Sequence, residues 1–135
     1  MHGSLNVGNT RTNQMDGPIA ALLQDLSERG LLEETMVVVT TEFGRTPKVS
    51  SRGGRDHFPK AFSIMLAGGG VVGGQVIGQT DAKASNIESE SYGPKDLHTT
   101  IAQGLGLPID KRVHVMGGRP FFVGNRGKVI KGVFG

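Results

Sequence analysis

The sequence predicts an α/β protein with a mostly parallel sheet, and three observations carry that prediction. Two segments, 19–26 and 97–105, place apolar residues at helical spacing. Two others, 36–40 and 61–67, are short and largely apolar, as strands covered on both faces are. Glycine makes up 22 of 135 residues and clusters at 68–70, 73–74 and 117–118 with no fixed repeat, which marks tight turns between short elements.

Taken in order, residues 1–15 are polar and without periodicity and read as a loop. Asp16-Gly17-Pro18 then opens a helix, with Asp16 as N-cap and proline in the first turn. Ile19, Leu22, Leu23 and Leu26 follow at i, i+3, i+4 and i+7, and Gly30 supplies the stop. Met36–Thr40 is the first strand and 43–60 a polar loop. Residues 61–67 form the second strand, ended by Gly68-Gly69-Gly70. A short strand is expected around Val76 and Ile77, and a surface loop over 80–93. Gly93-Pro94 opens the second helix, with Leu97, Ile101 and Leu105 on one face. Gly106 stops it and Pro108 prevents its continuation. The turn-rich remainder offers short strands at 121–123 and 128–134. Two central-type strands alone would leave sheet edges bare, so the single domain at 1–135 reads as part of a larger sheet or as one completed by a partner.

Composition excludes several classes. With 36% hydrophobic and 20% charged residues the chain is neither disordered nor membrane-spanning by composition, and no apolar run approaches the ~18–20 residues a bilayer helix needs. The absence of cysteine excludes disulfides and thiolate metal sites. No basic-then-apolar export signal is visible at the start, and the compartment stays open. The net charge of +3 comes largely from the end, where Lys111, Arg112, Arg119, Arg126, Lys128 and Lys131 follow Asp110 with no further acid. One tyrosine and no tryptophan give little for base stacking, so nucleic acid is disfavoured as a partner.

The chemistry-bearing residues gather in Thr40-Thr41-Glu42-Phe43-Gly44-Arg45-Thr46-Pro47 and Gly54-Arg55-Asp56-His57. A polar loop at the carboxyl end of a hydrophobic strand is where α/β proteins place ligands. Glu42 reads as an oxygen ligand for a cation, or as a carboxylate that caps the loop or pairs with Arg45. His57 is a metal ligand or a hydrogen-bonded loop histidine, with Asp56 as its orienter or a ligand itself. Arg45 and Arg55 suit an oxyanion clamp, or salt bridges to Glu42 and Asp56 that shape the loop. The nearby threonines have no adjacent base and are not read as nucleophiles. His98 reads as structural, and His114 has no nameable partner. The glycines at 68–74 lack the Lys-Ser/Thr ending of a phosphate loop.

These segments, together with Leu22-Leu23-Gln24-Asp25-Leu26, Arg29-Gly30-Leu31-Leu32, Gly73-Gly74-Gln75-Val76-Ile77-Gly78, Asp96-Leu97-His98-Thr99-Thr100-Ile101 and Gly118-Arg119-Pro120, follow in an order that resembles the C-terminal part of the bacterial family called domain of unknown function 1501. The resemblance spans nearly the whole chain. It implies membership of the alkaline phosphatase/sulfatase-like superfamily, with a three-layer sandwich and a metal site at the strand ends. By that analogy the expected function is the C-terminal portion of a metal-dependent hydrolase of small phosphate or sulfate esters, inactive alone. Glu42, His57, Asp56 and His2 would hold divalent metal and Arg45 or Arg55 would stabilise the anion. Zinc is the first expectation, with calcium, magnesium or manganese open. His2 matches a histidine that an aspartate commonly precedes in the family, a place Met1 occupies here. Phe43 stands where superfamily enzymes often carry histidine. The family's N-terminal half, with any nucleophile and the export signal of a periplasmic relative, would precede Met1. The alternative is a non-catalytic remnant that binds a partner or oligomerises. A third reading has the basic tail bind polyanions.

Overall fold

The computed structural model describes residues 5–114 and 117–135. In chain order these form α1 (Leu5–Glu28), β1 (Val37–Val39), β2 (Gly44–Arg45), β3 (His57–Phe58), β4 (Met65–Ala67), α2 (Pro94–Gly104), β5 (Arg112–His114), β6 (Pro120–Phe122) and a 3-10 turn (Val123–Arg126). The fold is thus a mixture of helices with small sheets. Each sheet is a two-stranded antiparallel ribbon: β1 with β4, β2 with β3, β5 with β6.

The two strands expected to lie in a parallel sheet pair with each other instead, antiparallel, with Val38 opposite Leu66. The connection explains the direction. Parallel neighbours need a crossover, usually a helix. The segment between β1 and β4 holds only the β2–β3 hairpin, so β4 runs back along β1. Neither the parallel sheet nor the three-layer arrangement is present among the described residues.

Other boundaries differ for identifiable reasons. α1 begins well before Asp16, which therefore lies inside the helix and is not its N-cap. The first part of α1 is polar and aperiodic, so it gives no amphipathic signal, although asparagine, threonine and glutamine cost a helix only tenths of a kcal/mol each, on the order of 0.5. Pro18 sits in the interior, where it removes one hydrogen bond. No strand forms at Val76, which is 93% exposed. Gly74 and Gly78 flank it with positive φ, and the Gln75 side-chain Nε2 donates to the carbonyls of Val72 and Gly132. The tail at 128–134 is irregular apart from a bridge between Phe134 and Val71, and β5 had no sequence signal. α2 appears where expected, with Pro94 in its first turn and Gly106 at φ +69 just beyond it.

The residues divide into two compact units. The first comprises Met1–Gly69 and Gly78–Ser89, the second Gly70–Ile77 and Glu90–Gly135. The buried apolar side chains of the described residues, Leu97, Ala102, Ile130 and Val133, all belong to the second. There the core is unusually polar. Thr100, wholly buried, donates to the carbonyl of Asp96 at 2.7 Å and accepts from the Ile130 amide at 2.9 Å. The Asp96 carboxylate accepts from the Gly93 amide at the helix start and from the Lys128 amide, both at 2.7 Å. Thr99 donates to the Lys95 and Gly124 carbonyls. Asp96, Thr99 and Thr100 of α2 thus fasten the C-terminal tail to the helix.

Candidate functional site

The β2–β3 hairpin assembles the candidate residues. Gly44 pairs with Phe58 and Arg45 with His57. Thr46 extends the ladder, its amide donating to the Asp56 carbonyl and its hydroxyl accepting from the Asp56 amide, each at 3.0 Å. Gly44 is required by close approach. A Cβ there would lie 2.0 Å from the Ala61 carbonyl oxygen, so no other residue fits without moving the backbone.

Phe43 is the unexpected member. Its ring stacks on the His57 imidazole with centroids 3.9 Å apart and planes 27° from parallel, and the Arg45 guanidinium lies 5.5 Å from its centroid. Sequence reasoning treated Phe43 only as a missing ligand. In the folded chain it fixes the plane of the imidazole and steadies Arg45 by a cation–π contact. The only advance signal was its place one residue ahead of the hairpin.

The two arginines take a different part from either expectation. Arg55 donates to the carbonyls of Thr46 and Pro47, and Arg45 to the Arg55 carbonyl at 3.3 Å. Their described partners are backbone oxygens, so both staple the 46–55 loop. A guanidinium has five donors, and donors remain on both exposed side chains. Within the loop the Ser50 amide reaches the Gly54 carbonyl at 2.7 Å, and the Ser50 hydroxyl is buried without a partner.

Glu42 is exposed just ahead of Phe43, and its carboxylate has no hydrogen bond or ion pair among the described residues. His57 and Asp56 are exposed on the hairpin. His2 lies outside the described residues. Among the described residues no group of three His, Cys, Asp or Glu side chains comes together to hold a metal. A catalytic zinc needs three protein ligands and an open position. The described residues therefore do not fit a complete metal centre, and no reaction step is routed through one. What this segment can do is present two carboxylates, Glu42 and Asp56, one oriented imidazole and two guanidiniums to a group brought from elsewhere. His98 is exposed on α2, and His114 pairs across to Pro120.

The fold and hairpin define a mixed helix and small-sheet protein with a charged surface hairpin. A model of the family described as "Protein of unknown function (DUF1501)" matches residues 1–134, and the chain belongs to that family. Among curated proteins and among solved structures, nothing matches the chain.

Proposed function

We propose that the chain is the C-terminal portion of a metal-dependent phosphatase/sulfatase-like hydrolase and that it supplies part of the ester-binding site while having no turnover alone. The observation that carries this reading is the hairpin. It sets His57, held flat on Phe43, opposite Arg45, with Glu42 close in sequence and unpartnered among the described residues. An imidazole and a carboxylate of this kind suit a divalent cation such as zinc, and a guanidinium beside them suits a phosphate or sulfate oxygen. In this reading the remaining ligands, the nucleophile and the parallel three-layer sheet belong to a preceding part of the enzyme. The chain's own residues would orient the anion.

The test is zinc titration by calorimetry together with an aryl phosphate and aryl sulfate assay on the purified chain. We expect weak zinc binding, reduced about tenfold or more in Glu42→Gln and in His57→Ala, and no hydrolysis above background. Zinc binding untouched by both substitutions would overturn the metal role. Hydrolysis abolished by His57→Ala would overturn the claim of inactivity.

A second reading, self-association through the first unit, is favoured by one observation. That unit has no fully buried apolar side chain among its described residues, while Leu22, Leu31 and Met65 are exposed. Among the described residues β1 and β4 pair only with each other, so each leaves one edge without a described strand.

A further inference from the structure

We propose that the C-terminal unit carries an oxyanion site of its own, formed by Arg112, Phe122 and Arg126, which takes a phosphate or sulfate group. The inference stands on this unit alone and is independent of the hydrolase reading.

Three elements converge on one ring. Arg112 on β5 is the direct cross-strand partner of Phe122 on β6, and its guanidinium carbon lies 5.7 Å from the ring centroid. Arg126, from the turn that follows β6, lies 4.2 Å from the same centroid. The two positive charges are therefore within about 10 Å of each other, roughly one Debye length at 0.1 M salt. No carboxylate neutralises either among the described residues, and the sequence has no acid after Asp110. His114 alternates with Arg112 on the ribbon, so the period of two puts its imidazole on the same face.

The backbone shows that Arg126 is put in place against a cost. Gly124, Asn125 and Arg126 have φ of 73°, 53° and 59°, three consecutive left-handed residues of which only the first is glycine. Each non-glycine residue there costs on the order of 1–2 kcal/mol. An exposed cation–π contact returns only about 0.5–1 kcal/mol. The turn is imposed from below. The buried Thr99 hydroxyl donates to the Gly124 carbonyl at 2.9 Å, and a Cβ on Gly124 would lie 2.1 Å from that same oxygen. A rigid helix thus holds a strained turn that brings a second guanidinium to a ring already bearing one. Strain held by a rigid surround is a mark of function. Each guanidinium is a planar fork that offers paired N–H donors to the oxygens of a tetrahedral oxyanion.

The test is a titration of the isotopically labelled chain, followed by NMR, with inorganic phosphate, inorganic sulfate and phenyl phosphate. Sodium chloride at matched ionic strength is the control. Saturable shifts are expected at the amides of Arg112 and of Phe122–Arg126 with phosphate and sulfate and not with chloride. Arg112→Gln and Arg126→Gln should each weaken binding about tenfold, the loss of a charged hydrogen bond, and the double variant should abolish it. Arg126→Lys, which keeps the charge and loses the fork, should fall between. Unchanged α2 amides in each variant separate loss of binding from loss of fold. Tighter binding of phenyl phosphate assigns the site to esters that also contact Phe122, and equal binding assigns it to the free ion. Shifts that chloride reproduces, or that persist in the double variant, would overturn the proposal.

Discussion

At the scale of single residues, a buried carboxylate held by backbone amides lies away from the candidate site, at Asp96. Its carboxyl is held below the usual carboxylate range, first by the Gly93 amide and then by the Lys128 amide, against the opposing effect of burial. Folding therefore favours the ionised form. The stability this contributes is fully present above the unfolded value near 3.8 and is lost as pH falls through the lower folded value. Asp81, bonded by the Ser85 amide, and Glu90, bonded by Lys128, are shifted in the same direction, so both add to the acid slope. Asp96→Asn places an amide NH2 against one of two backbone donors and leaves that donor unpaired. We expect a loss of about 2–4 kcal/mol at neutral pH, a capping loss plus an orphaned amide. Thermal melts between pH 2 and 7 should then show a flatter decline below pH 4 than the wild type. An unchanged melting temperature at pH 7 would contradict this account. Glu90→Gln is the contrast, because its partners Lys128 and Lys131 are 67% and 84% exposed and solvent screening leaves such pairs with little effect on stability, so its melting temperature at pH 7 should stay near that of the wild type.

At the scale of elements, the β2–β3 hairpin and α2 show what could and could not be read beforehand. α2 was legible because its start, apolar stripe and stop all lie in one short stretch, from Gly93 to Gly106. The hairpin was not, because two-residue strands have no period. Their pairing depends on Gly44 approaching Ala61, a contact across seventeen positions. The candidate residues were recognised by chemical type at Glu42, Arg45, Arg55 and His57. The stacking role of Phe43, and the use of both arginines on backbone carbonyls, needed the folded loop. The direction of β4 was missed for the same kind of reason, since an apolar run reports burial and not orientation. The hairpin also makes the sharpest element-level prediction. Gly44→Ala should cost about 2–4 kcal/mol, or detach the hairpin, because the clash is with backbone oxygen and no side chain can swing aside. The His57 ring protons, shifted upfield by stacking on Phe43, should move towards their free positions. A variant that keeps that upfield shift and its melting temperature would refute the contact.

At the scale of the whole chain, burial is divided unevenly, and that asymmetry has a kinetic signature. The second unit has a small apolar core and the buried hydroxyls of Thr99 and Thr100 joining α2 to the tail. The first unit presents β1 and β4 with every residue only half-buried or exposed. Opening free energy follows local burial, so amide exchange should report two levels of protection. The amides of α2 and those of Lys128 and Ile130 should exchange slowest, and those of β1 and β4 at least about tenfold faster, a gap of 1.4 kcal/mol or more. If a second copy covers the first unit, protection of β1 and β4 should rise with protein concentration, in step with a rise in mass by light scattering. A constant mass with concentration-independent exchange would exclude self-association while leaving the two levels intact. Equal protection in both units at low concentration would instead overturn the claim that burial is uneven. The outcome separates a chain that covers its own surfaces from one whose first unit waits for a covering layer.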